Sequence, residues 1–139
     1  FLSPNPASHN FMNIIHTEVN FEDGRGKIQD ILTHEMVDAV TLITYTKGAI
    51  RANHYHEESI QWDYVISGTL ECYTQAGADG EKEMQIIGPG DLVKHPVNER
   101  HALKALEDCV TLSLTQGPRR GKDYENDVIR LGDEEKLVT

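Results

Sequence analysis

The stretch "GAIRANHYHEESIQWDYVISG", residues 48–68, is closed by a glycine at each end and carries two histidines one residue apart. Within it, "QWDYVIS", residues 61–67, is β-branched and aromatic, the composition of a strand. On a strand, side chains two apart leave the same face, with their Cα atoms about 6.6 Å apart. His54 and His56 therefore project together, and two imidazoles on one face can close on a single first-row metal ion at about 2.0–2.2 Å. Two ligands do not hold a metal. Gln61 lies beyond the acidic turn Glu57-Glu58-Ser59, where a hairpin-like return brings its amide oxygen back toward the pair. His101 closes "PGDLVKHPVNERH", residues 89–101, after a Pro-Gly-Asp turn and a second proline, which places it on a later strand.

Outward from this stretch the same texture continues. "VTLITYT" (40–46), "TLECYT" (69–74), "EMQII" (83–87) and "CVTLSLT" (109–115) are short β-forming runs. Gly77, Gly80, Gly88, Gly90 and Gly117 punctuate them, and "AGADGEK" (76–82) reads as a hairpin loop. Many short strands with regular turns predict an all-β jelly roll. Helix signals are weak: "IQDILTHEMV" (28–37) fits either a short helix or a strand followed by a loop, and the tail from Asp123 carries one turn.

A chain of 139 residues fits one domain with a real core. Residues 1–11, "FLSPNPASHNF", have loop composition and read as a leader or disordered arm, leaving 12–139 as the folded domain. The net charge of −10 repels phosphate backbones and anionic lipid, so neither nucleic acid nor a membrane is an expected partner. No stretch approaches the roughly 20 apolar residues of a membrane span. Cys72 and Cys109 sit among β-forming neighbours as buried free thiols, and the expected compartment is the cytoplasm.

The spacing of the marked residues resembles a known family. Gly48, His54, His56, Gln61 and Gly68 are similar to the first cupin motif, with glutamine where that family usually has glutamate. Gly90, Pro96, Asn98 and His101 are similar to the second, with Asn98 in place of glycine and Ala105 in place of asparagine. These motifs span 48–68 and 88–105. Asparagine is the residue that best tolerates the left-handed backbone that glycine supplies. The resemblance implies a double-stranded β-helix, often a homodimer, holding one divalent metal on His54, His56, Gln61 and His101. Nitrogen and oxygen ligands suit manganese, iron, cobalt, nickel or zinc. A neutral amide leaves the metal's double charge uncompensated, which favours Lewis-acid work over dioxygen chemistry. "EDGRGKIQDIL" followed by "VTLITYTKGAIRANHYHEES" is also similar in order to the sugar-nucleotide 3,4-ketoisomerases and epimerase-like cupins. In those ketoisomerases the paired histidines work as acid and base without metal.

The expected activity is metal-dependent isomerisation or epimerisation of a small oxygen-rich substrate: a sugar, sugar acid or nucleotide sugar. Arg51 and Arg100, flanking the ligand strands, are candidates to clamp a carboxylate or phosphate. His95, Tyr55 and Tyr45 are candidates to move the proton. The rival readings are a metal-dependent dioxygenase, a non-catalytic small-molecule binder, and a metal-free ketoisomerase using His54 and His56. Trp62 and Tyr64 alternate with Gln61, so they face away from the site, toward a second layer or a subunit interface.

Overall fold

Alternation of inward and outward side chains organises the whole barrel. The computed structural model describes residues 12–139, and the expectation for 1–11 lies outside the described residues. The strands are β1 (Asn13–His16), β2 (Phe21–Asp23), β3 (Gly26–Ile28), β4 (Ala39–Tyr45), β5 (Ile50–His56) and β6 (Ile60–Ser67). They continue as β7 (Leu70–Ala76), β8 (Lys82–Ile87), β9 (Asp91–His95), β10 (Glu99–Ala105), β11 (Cys109–Gln116) and, after a short helix α1 (Gly121–Asp127), β12 (Val128–Arg130). One sheet runs β1-β9-β6-β11-β4 and the other β12-β5-β10-β7-β8, with β2-β3 as a separate ribbon. Every pairing is antiparallel. This is the jelly roll expected from the sequence. Ile28 ends a strand, and the residues after it run as loop up to β4, so the helical alternative for 28–37 is not what forms.

The inward rows change character along the barrel. At one end Val65, Leu70, Cys72, Val93, Leu103, Ala105 and Cys109 pack together with Tyr45 and Ile87. Each large aliphatic side chain buried there contributes about 1.5–3 kcal/mol. On β10 the partners run Ala105↔Leu70, Leu103↔Cys72 and His101↔Thr74, from apolar to polar. On β6, Val65 gives way to Asp63 and Gln61 in the same sense. The far end of the barrel is thus polar inside, and Asp63, Thr74, His56, His95 and His101 are all buried. Both thiols are free and buried, as expected.

Two turns carry the geometry. Gly68 has φ +84°, and a Cβ there would meet the Asp108 carbonyl oxygen and Cys109 Sγ, both at 2.5 Å. Asn98 has φ 67°, the left-handed value anticipated for it. Its N–H donates to the His56 carbonyl at 2.7 Å, tying the β9–β10 turn to β5. On the outer face, Trp62 is buried beneath the Lys94 ammonium, 5.9 Å from its ring centroid. Val40 and Leu42, at the far edge of that sheet, are 62% and 64% exposed. No helix among the described residues is long and apolar enough to cross a membrane.

Candidate metal centre

β5 and β10 bring three imidazoles together. His54 and His101 are direct cross-strand partners, and the register slips by one residue just beyond them. The slip is a bulge: Ala52 and Asn53 take φ of 71° and 55°, and Asn53 is the extra residue. Regular alternation would set Arg51 on the opposite face from His54. The bulge turns both toward one pocket.

The ligand atoms of His54, His56 and His101 all lie within 4.8 Å of one another. Ring centroids are 4.7 Å apart for His54–His56, 4.8 Å for His54–His101 and 5.6 Å for His56–His101. All three Nε2 atoms are buried without a hydrogen-bond partner. An orphaned buried polar atom is costly, and three in one histidine cluster demand an explanation. Two of the other ring nitrogens are engaged: His56 Nδ1 lies 2.9 Å from the Asp127 carboxylate, and His101 Nδ1 is 3.1 Å from the Glu99 carbonyl. Since carboxylate and carbonyl only accept, Nδ1 carries the proton in His56 and His101, and their Nε2 atoms present lone pairs. Burial, aided by the neighbouring His56 and His95, lowers the His54 pKa to about 3; burial likewise holds His101 well below the usual histidine range. Neutral imidazoles with inward lone pairs fit a transition-metal ion.

Gln61 lies in the pocket beside His54, and its amide nitrogen donates to both oxygens of Asp63, at 3.1 and 3.2 Å. That leaves its carbonyl oxygen as the group it can offer. Asp63 also accepts from His95 Nε2 at 3.1 Å, while His95 Nδ1 reaches Glu99 at 3.2 Å. Burial pushes the His95 pKa down, but the bonds to Asp63 and Glu99 outweigh it and raise the value to about 9. The Asp63–His95–Glu99 group is then two carboxylates around one imidazolium, a net single negative charge. It stands one hydrogen bond behind Gln61, so the charge a glutamate would have brought is present at one remove.

The pocket, of ≈ 430 Å³, is lined by Tyr45, Arg51, His54, Gln61, Arg119 and Tyr124 among others. Arg51 sits over the Tyr45 ring at 5.2 Å and donates to the Thr44 carbonyl at 2.9 Å. Burial, then the Asp63 charge, pushes the Tyr45 phenol far up, so it stays protonated. A larger cavity of ≈ 750 Å³ lies against the outer face beside Trp62 and Lys94 and holds none of the three histidines.

Three expected site residues are placed differently from what the sequence suggested. Tyr55 points from the outer face of β5 and packs with Ala102, Leu131 and Leu137. Arg100 covers the Tyr55 ring at 5.6 Å and pairs with Glu135 at 2.8 Å, on that same outer side. Both follow from alternation: residues next to inward histidines face outward. His95 is adjacent to the cluster, stacked on His101 at 4.1 Å, but both its nitrogens are closed off by carboxylates. Sequence reasoning missed Asp63, Asp127, Arg119 and Tyr124. Asp63 was within reach, since it shares a face with Gln61 by the same period.

The cupin domain family's sequence pattern matches residues 41–115, more than half the chain. The pectin degradation protein KdgF of Dickeya dadantii is 31% identical over 107 residues, covering 76% of this chain and 92% of KdgF. A probable oxalate decarboxylase of Arthroderma benhamiae is 35% identical over 83 residues, 58% of this chain, which spans only 19% of that protein's length. Among solved structures, a 3,4-ketoisomerase from Helicobacter canadensis superposes with a TM-score of 0.73 at 20% identity, covering 89% of this chain and 93% of that one, a likeness of fold. Motifs, barrel and relatives agree, and the chain belongs to the cupin family.

Proposed function

We propose that this cupin is a metal-dependent enzyme that isomerises a small sugar acid. The observation that carries the reading is a cluster of three histidines that offer ligand atoms within 4.8 Å of one another and whose Nε2 atoms are all buried and unpartnered. His54, His56 and His101 would hold one divalent first-row ion, with the Gln61 carbonyl as fourth ligand. Bound there, the ion would supply Lewis-acid polarisation of a substrate carbonyl or hydroxyl oxygen. Arg51 keeps one nitrogen on Thr44 and has the rest of its planar fork to receive a carboxylate. Tyr45, protonated, supplies a phenol to the same pocket. The acidic substrate class is supported by that arginine and by similarity to a pectin degradation protein, pectin being a polymer of sugar acids.

The metal-free reading, with His54 and His56 as the proton shuttle, meets a difficulty in His54: a pKa near 3 is far from what a neutral-pH base needs. A second copy of the chain is the proposed cover for the face bearing Val40 and Leu42. The test is elemental analysis of untagged protein, followed by turnover of sugar acids in deuterated water. About one metal per chain, and deuterium entering next to a carbonyl without oxygen uptake, is the expected result. Oxygen consumption would favour the dioxygenase, and a metal content near zero after reconstitution would remove the reading.

A further inference from the structure

Asp127 ends α1, 71 positions after His56 in the chain. Its side chain is fully buried, and both carboxylate oxygens are occupied. One accepts the N–H groups of Glu58 at 2.6 Å and Ser59 at 3.1 Å; the other accepts the His56 Nδ1–H at 2.9 Å and the Ser59 hydroxyl. Two effects follow. A carboxylate on Nδ1 fixes the proton there, turns the lone pair on Nε2 toward His54 and His101, and makes the imidazole a stronger ligand. The same carboxylate pins the turn between β5 and β6, the strands that carry His54, His56 and Gln61.

Beyond Asp127 the chain pairs along the edge of β5 not taken by β10. β12 pairs Val128 with His56 and Arg130 with His54. The Leu131 N–H then donates to the Asn53 carbonyl at 2.9 Å. The Asn53 side chain accepts from the Leu137 N–H at 2.8 Å and donates to the Val138 carbonyl at 3.0 Å. Asn53 is the bulge residue next to His54, so both ligand histidines of β5 are backed by the C-terminal segment.

We propose that Asp127 is a positioning residue for metal binding through His56, and that it couples occupancy of the site to docking of residues 127–139. The inference rests on the metal reading above. Coupling is reciprocal: a docked segment raises metal affinity, and bound metal holds the segment down.

The test titrates zinc into chelator-stripped full-length protein against a chromophoric chelator, with circular dichroism as the check on folding. Wild type, Asp127→Asn, His56→Ala and the double variant are compared. Asp127→Asn is expected to weaken zinc binding by about 10- to 100-fold, and to add nothing once His56 is gone, which a merely structural role would not show. Unchanged affinity in Asp127→Asn, or an equal loss with and without His56, would overturn the inference and leave the metal reading standing. Wild-type protein that takes up no zinc overturns both. Hydrogen exchange on the wild type needs no variant: amides of residues 57–59 and 128–138 are expected to exchange more slowly with zinc, and identical rates overturn the coupling.

Discussion

His95 and His101 stack face to face at 4.1 Å, both fully buried, and differ in what surrounds their nitrogens. His95 has a carboxylate on each nitrogen and is held protonated; His101 has a backbone carbonyl on one and nothing on the other. Burial is common to both and disfavours the charged form of each, so it does not set them apart. The partners do. Beside Asp63 and Glu99 an imidazole becomes a structural cation. Beside two other imidazoles it stays neutral, with an unshared lone pair.

Replacing His101 by Ala should break the comparison most completely. Metal content of the purified protein is expected to fall from about one per chain to background, while the far-ultraviolet dichroism of a β protein persists. Replacing His95 by Gln should do the reverse. Removing one member of a buried ion pair leaves Asp63 facing Glu99 and costs about 3–5 kcal/mol, read as a lower urea midpoint in metal-free protein. The metal site should survive in whatever fraction stays folded.

The two groups also respond oppositely to pH, which sharpens the contrast. The His54 pKa falls from 6.5 when unfolded to about 3 when folded, so its stabilising contribution is present above pH 6.5 and drains away as pH falls toward 3. The His95 pKa rises from 6.5 to about 9, so its contribution is present below pH 6.5 and is lost as pH climbs to 9. Urea unfolding of chelator-treated protein should show His95→Gln abolishing the alkaline loss and His54→Gln reducing the acid one. Identical pH profiles for the two variants would contradict the assignment. The smallest effect belongs to the turn between β9 and β10. Asn98→Ala, at φ 67°, should cost about 1–2 kcal/mol, and Asn98→Gly close to nothing, with metal affinity reduced only in the former.

The histidine cluster was legible because it rests on local rules. The strand period paired His54 with His56, glycines marked the turns, and Asn98 announced its backbone. The same period already turned Tyr55 and Arg100 outward, and applying it to them would have excluded both. Asp127 left no such mark. It reaches His56 only because β12 folds back along β5, a pairing set by tertiary packing rather than by any neighbouring residue. The bulge at Asn53 is equally silent, since nothing in "IRANHYH" says that one residue will be left out of the ladder. The closure of His95 depends on cross-strand register, which brings Gln61 opposite His95 and Asp63 within reach.

On β10, the side chains that seal the apolar end and the imidazole that serves the polar end alternate with Arg100, Ala102 and Lys104. A pairing error of a single residue would therefore send Leu103 and His101 outward together and bring two cations in. Sealing the barrel and assembling the histidine cluster are in this way one event: a molecule that has closed properly has its imidazoles together, and one that has not will fail at both.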